Sequence, residues 1–148
     1  MTHDKWDIRF LDLAKHISLW SKDPSTKIGA VIVDDERHIL STGYNGFPKG
    51  VRDKPQRLEN REEKYKFVVH AEMNCIYNAS LHGISLKNST LYIHGLPACH
   101  ECAKGIIQAG IKRVVMSTLN DNISEKWADS YAISATMFRE ADVRISFI

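Results

Sequence analysis

Four side chains in two short stretches have the types and spacing for metal-assisted hydrolysis. His70-Ala71-Glu72 is followed about thirty residues on by Cys99-His100-Glu101-Cys102. His70, Cys99 and Cys102 are donors of the kind zinc takes, and three protein ligands leave tetrahedral zinc one open position, as in catalytic sites. Zinc lowers the pKa of water it binds to about 7. Glu72, two residues from a ligand, is free to take the water's proton and return it to a ring nitrogen or a leaving amine. That set fits attack on an amidine-like carbon followed by loss of ammonia. A closed structural site would need a fourth ligand. His100 lies inside the Cys-x-x-Cys itself, poorly placed for the same ion, and His94 has no partner spacing. A thioredoxin-like redox pair would leave His70 and Glu72 without a role.

The elements that position these residues follow from hydrophobic periodicity and turn chemistry. Apolar residues at Ile8, Leu11, Leu13, Ala14, Ile17, Leu19 and Trp20 predict a helix over 4–20. Ser21–Thr26 is a turn-rich stop, and Ile28–Val33 reads as a buried strand. Asp34–Glu36 turns the chain into a second strand near His38–Gly43. The loop Gly43-Tyr44-Asn45-Gly46-Phe47-Pro48-Lys49-Gly50 has the glycines of a chain that bends tightly near something it approaches closely. Residues 49–66 carry seven Lys or Arg against four Asp or Glu, a solvated flap with a short helix from Leu58 to Lys66, or a contact with an anionic ligand. A helix starts at His70 and stops before Gly83. Thr90–His94 is a third strand, and Pro97–Cys102 turns into a helix closed by Gly110. Lys112–Ser117, Ser124–Ala141 and Val143–Ile148 complete a strand, a helix and a fifth strand. Strands separated by helices argue an α/β sandwich around a mixed sheet.

The totals agree. The 148 residues suit one domain over 1–148, with 43% hydrophobic and 26% charged residues and no repeat. A formal net charge of +2 is too small to argue for nucleic acid or a membrane surface. No apolar run approaches the ~20 residues a spanning helix needs. Met1–Lys5 lacks the apolar core of a signal peptide, so a cytoplasmic protein is expected. Three cysteines are an odd count for a disulfide framework. Cys75, among Met73, Ile76 and Tyr77, reads as a small buried hydrophobe.

With these residues in hand, the chain resembles the deoxycytidylate (dCMP) deaminases of the zinc-dependent cytidine deaminase superfamily over nearly its whole length. The likeness rests on Ser21-Lys22-Asp23-Pro24-Ser25-Thr26-Lys27-Ile28-Gly29-Ala30, Gly43-Tyr44-Asn45-Gly46-Phe47-Pro48, His70-Ala71-Glu72, Cys99–Lys104 and Ile106–Ile111. It implies a three-layer α/β/α sandwich around a mixed five-stranded sheet. It also implies conversion of dCMP and water to dUMP and ammonia, feeding thymidylate synthesis. Glu72 would be catalytic, and His70, Cys99 and Cys102 would hold one Zn2+ per chain. Ser25, Thr26, Lys27, Asn45 and Ala71 would bind substrate, with Lys27 and the basic flap as phosphate partners. Asn45 would contact sugar or base, unless its place in the loop reflects only a left-handed turn that Asn tolerates. The resemblance further implies a homo-oligomer, from dimer to hexamer. It implies activation by dCTP and inhibition by dTTP at a site including Gly43, Tyr44, Gly46, Phe47 and Pro48, with Mg2+ accompanying the triphosphate.

Two departures stand out. Ala98 intervenes between Pro97 and the first cysteine, and Thr118–Asn122 does not carry the family's substrate-gripping Tyr-Arg or Asp-x-Tyr element. Residues 49–69 contain neither Cys nor His, so no second zinc is expected. The rival from the same chemistry is a tRNA adenosine deaminase acting on a flipped base. Its Glu before the proline and its basic face are missing here. From a different class, a non-catalytic zinc-stabilised interaction domain would have no use for Glu72.

Overall fold

The computed structural model describes residues 4–118 and 123–148. The first three residues and most of the 118–122 departure therefore lie outside the described residues. Helix α1 runs Lys5–Ser18, capped by the Asp4 carboxylate accepting from the Trp6 amide at 2.9 Å. It is shorter than the periodicity predicts: Leu19 and Trp20 lie past its end and are exposed, as is Ile8. Phe10, Leu11, Ala14 and Ile17 form its buried stripe.

Strands β1 (Gly29–Val33), β2 (Ile39–Tyr44), β3 (Thr90–His94), β4 (Arg113–Met116) and β5 (Arg144–Phe147) make one sheet in the order β2-β1-β3-β4-β5. β1 pairs antiparallel with β2 and with β3, whereas β3–β4 and β4–β5 are parallel. Parallel neighbours need crossovers. Helices α5 (His100–Gln108) and α6 (Glu125–Glu140) supply them. Residues of β1 alternate between two cores. Val31 and Val33 join Tyr92 and Val115 under α1, while Ala30 and Ile32 join Leu91, Ile93, Val114 and Met116 under α4 (Ala71–Leu81), α5 and α6. The result is the three-layer α/β/α sandwich with a mixed five-stranded sheet.

The single helix expected over Leu58–Lys66 is two helices, α2 (Pro55–Glu59) and α3 (Arg61–Phe67). The break falls at Asn60, whose extended backbone and side-chain oxygen, accepting from the Glu63 amide at 3.1 Å, cap α3. A capping Asn satisfies an otherwise orphaned amide, which outweighs continuing the helix through it. Among the described residues no helix is long and apolar enough to cross a membrane.

α1 is fastened to the sheet by a polar contact that its apolar pattern does not reveal. Asp7, 4% exposed, accepts from the Tyr92 hydroxyl at 2.7 Å and from both terminal nitrogens of Arg113 at 2.8 and 2.6 Å. Burial, and then the neighbouring carboxylate, push the Tyr92 phenol well above its ordinary range, so it stays a donor. Removing Arg113 takes the guanidinium from a buried carboxylate, which typically costs ~3 kcal/mol. Arg113→Met should therefore lower Tm by roughly 6–12 °C, read by thermal denaturation. A Tm within a degree of the parent would mean the pair contributes nothing net.

Candidate active site

Two helix starts meet at the metal-ligand cluster. His70 is the N-cap residue of α4 but makes no capping bond with its side chain, which leaves the imidazole free to point elsewhere. Cys99 is the N-cap of α5, its sulfur accepting from the Cys102 amide at 3.4 Å. His70 Nδ1 lies 3.4 Å from Cys99 Sγ and 3.3 Å from Cys102 Sγ, and donor atoms of all three residues lie within 4.8 Å of one another. Ligand bonds of zinc length at a tetrahedral angle put nitrogen and sulfur ~3.6 Å apart, so the triad fits zinc with little adjustment. No other such cluster occurs among the described residues. His100, the rival ligand, instead sets Nδ1 2.8 Å from the Ser130 hydroxyl.

Protonation follows from who donates to whom. The Cys99 thiol is lowered to about 4, first by its hydrogen bond with Cys102 and then by His70. Cys102 is raised, because it is the donor in that bond and is buried beside Glu72. His70 is raised by the hydrogen bond to Cys99. The hydrogen bond from the Cys102 thiol, helped by His70, therefore favours the thiolate at Cys99, and a cation bound by both sulfurs would displace the Cys102 proton. Glu72 is 2% exposed in the first turn of α4. Burial raises its pKa, against the lowering effects of His70 and the Cys102 thiol. Cys75 is fully buried, and burial pushes its thiol up to about 12, so it takes no part.

α6 braces the ligand loop. The Trp127 indole N–H donates to the Pro97 carbonyl at 2.8 Å, and its ring centroid is 5.8 Å from that of His70. Ser134 Oγ donates to the Ala98 carbonyl at 2.8 Å, and Ser130 Oγ accepts from the His100 amide at 2.9 Å. Ala98, the extra residue in the turn, is thus packed inside and tied down without disturbing the ligands.

A cavity of about 300 Å3 opens beside His70, lined by Asp23, Ser25, Thr26, Ile28, Asn45, Arg61, Lys64, Tyr65, Val68, Leu96, Ile123, Ser124 and Trp127. Of the residues expected to bind substrate, Ser25, Thr26 and Asn45 lie in its wall. Lys27 does not: its ammonium is 2.5 Å from the Ser21 carbonyl. Ala71 does not line it either, being fully buried with its carbonyl against Gly43.

Asn45 is 5% exposed and cross-links the loops. Its Oδ1 accepts from the Ile28 amide at 2.9 Å and its Nδ2 donates to the Thr26 carbonyl at 2.8 Å. The left-handed alternative fails, since the described non-glycine residues with positive φ are Arg37, Asn88 and Asp142. One amide hydrogen and one lone pair of Asn45 stay available to a ligand. The glycine signal also has another cause at Gly43, where an added Cβ would sit 2.5 Å from the Cys75 amide nitrogen of α4. Gly50 turns with φ +80 in open space.

Asp23, Arg61, Tyr65 and Trp127 are site residues that hydrophobic patterning misses. Asp23 had a local signal: an Asp before Ser-Thr caps the amides that follow it. Its Oδ1 accepts from the Ser25 and Thr26 amides at 2.8 and 3.0 Å and from Lys64 Nζ at 3.1 Å, an ion pair with both side chains under a tenth exposed. The pair joins α3 to the loop below β1. A second cavity of about 110 Å3 lies on its other side, lined by Lys22, Tyr44, Gly46, Phe47, Asp53 and Leu58. Asp23, Asn45, Lys64 and Val68 line both cavities. Pro48, expected with the loop residues, lines neither.

Replacing Cys99 with Ala should abolish stoichiometric zinc, measured by atomic absorption, and lower Tm, because a metal joining α4 to α5 contributes folding energy. Full zinc occupancy in that variant would remove Cys99 from the ligand set.

The description "cytidine and deoxycytidylate deaminase zinc-binding region" belongs to the family whose model matches residues 4–118. An uncharacterised deaminase from the luxG 3′ region of Aliivibrio fischeri is 37% identical over 144 residues, covering 97% of this chain and 94% of that one. Mouse deoxycytidylate deaminase is 40% identical over 146 residues, covering 94% of this chain and 77% of its own length. The crystal structure of dCMP deaminase from cyanophage S-TIM5 in complex with dCMP and dUMP superposes with a TM-score of 0.76 at 24% identity, each chain covered completely.

Proposed function

The chain belongs to the cytidine and deoxycytidylate deaminases, and from that premise we propose that it hydrolyses dCMP to dUMP and ammonia. The observation that carries this is a His70, Cys99 and Cys102 donor cluster able to hold zinc, with the buried Glu72 two residues from His70, and His70 itself lining a nucleotide-sized cavity. Zinc held by His70, Cys99 and Cys102 supplies a Lewis acid that makes water nucleophilic near neutral pH. Glu72 moves one proton of the attacking water to the pyrimidine ring nitrogen, then carries the second, from the newly formed C4 hydroxyl, to the amine as the C–N bond breaks and ammonia leaves. Burial lifts its affinity for a proton toward the range such a shuttle needs. Val68, Leu96 and Trp127 give the base an apolar berth. Ser25, Thr26 and the spare donor and acceptor of Asn45 address the sugar.

Glu72→Gln should keep zinc and Tm while kcat falls about a hundred- to ten-thousandfold, since a carboxamide carries no proton. Ammonia release from dCMP in the purified variant is the measurement. Turnover near the parent rate would assign the proton to another group.

The chain acts as a single domain over 1–148 in the cytoplasm, assembled as a homo-oligomer without nucleic acid as partner. dCTP raises dCMP affinity and dTTP opposes it, with Mg2+ on the triphosphate. The shared wall supports this reading: Asp23, Asn45 and Lys64 border both the substrate cavity and the smaller cavity under Tyr44, Gly46 and Phe47. By linkage, dCMP tightens dCTP binding by the factor by which dCTP tightens dCMP. Saturation curves for dCMP with and without each triphosphate test it. Curves that superpose would leave an unregulated deaminase.

A further inference from the structure

We infer that Arg61 is the residue that reads the 5′-phosphate and so sets the preference for a nucleotide over a nucleoside; this rests on the dCMP reading. The charged residues that line the substrate cavity, besides the ligand His70, are Asp23, Arg61 and Lys64. Lys64 is 5% exposed and its ammonium is held 3.1 Å from Asp23 Oδ1, so the two cancel. Drawing Lys64 onto a phosphate would strand Asp23 inside the protein, which is strongly unfavourable. Lys27 is turned away onto the Ser21 carbonyl.

Arg61 is what remains. It stands one turn from Lys64 on α3, at the i, i+3 spacing that puts both on one face. It is exposed and has no ion pair or hydrogen bond among the described residues. A nucleoside monophosphate brings up to two negative charges, and among the described residues the cavity offers one unspent cation to meet them. A guanidinium binds phosphate oxygens through two parallel N–H donors, which an ammonium cannot do. On the dCMP reading the reacting ring faces His70, which lines the cavity with Trp127, so the sugar and phosphate extend away from them into the part of the cavity lined by Arg61 at the start of α3. Asp23 serves here by neutralising Lys64, leaving the guanidinium as the cavity's net charge.

The test compares dCMP with deoxycytidine in the zinc-loaded enzyme, parent against Arg61→Met and Arg61→Lys. Arg61→Met should lower kcat/KM for dCMP about ten- to hundredfold, chiefly through KM, while kcat/KM for deoxycytidine stays within about twofold. Arg61→Lys should recover part of the loss. Inhibition by dUMP should weaken by the same factor as dCMP, and inhibition by deoxyuridine should not change. Zinc content and Tm should be those of the parent, because Arg61 holds nothing in place. Equal losses on dCMP and deoxycytidine, or a dCMP preference that survives in Arg61→Met, would overturn the role of Arg61 alone. A parent enzyme that handles deoxycytidine as well as dCMP would overturn the nucleotide reading with it.

Discussion

Three donor atoms from two helices have to meet within 4.8 Å, and the rest of the molecule is built around satisfying that requirement. Neither His70 nor the cysteine pair can reach the other unless α4 and α5 lie side by side on one face of the sheet with their starts aligned. The fully buried Ala71, Ala79, Ala103 and Ile106 let the two helices pack closely over Ala30 and Ile93. Behind them α6 fixes the ligand loop from outside, through Trp127, Ser130 and Ser134. Each of these bonds is modest, about 1 kcal/mol net, but together they hold the sulfurs where a cation finds them.

A second constraint organises the opposite wall. Asp23 gathers two loop amides and the Lys64 ammonium, and Asn45 ties the Thr26 carbonyl to the Ile28 amide. α2 and α3 bury no apolar residue of their own beyond what lines the cavities, and α2 buries none at all. The flap is held by this buried ion pair together with the Phe47–Phe67 ring contact at 5.6 Å and the backbone pairing of Gly46 with Val69. A buried pair of that kind adds little stability compared with an apolar contact, and its value lies in fixing geometry. Here the geometry fixed is the wall between two cavities.

How much of this was legible in the chain can be argued residue by residue. The donor cluster and the place of the Glu72 carboxylate beside it were, because metal chemistry restricts residue type and a helix start restricts spacing, so two short motifs carry the information. The five strands and their helices were, since period and turn signals are local; the ends of α1 and the break at Asn60 came out differently because capping, not period, decides where a helix stops. The glycine loop was legible as a close approach but not as an approach to α4: at Gly43 the crowding comes from the Cys75 amide, thirty-two residues away in sequence.

What only the tertiary structure decided was which polar groups are already spent. Lys27, Lys64 and Arg61 are alike in sequence, three cations near a substrate loop. Folding assigns one to a carbonyl, one to Asp23 and leaves one at the cavity mouth. Ser25 and Thr26 reach the cavity because Asp23 holds their amides. Ala71, adjacent to both functional residues of its motif, is sealed away by β2. The sequence by itself determined the donor set of the centre and the carboxylate beside it, because residue type and short spacing suffice to specify them. The burial of each charge, and therefore its availability to a ligand, depends on partners 41 residues apart in the case of Asp23 and Lys64, and no local pattern encodes that distance.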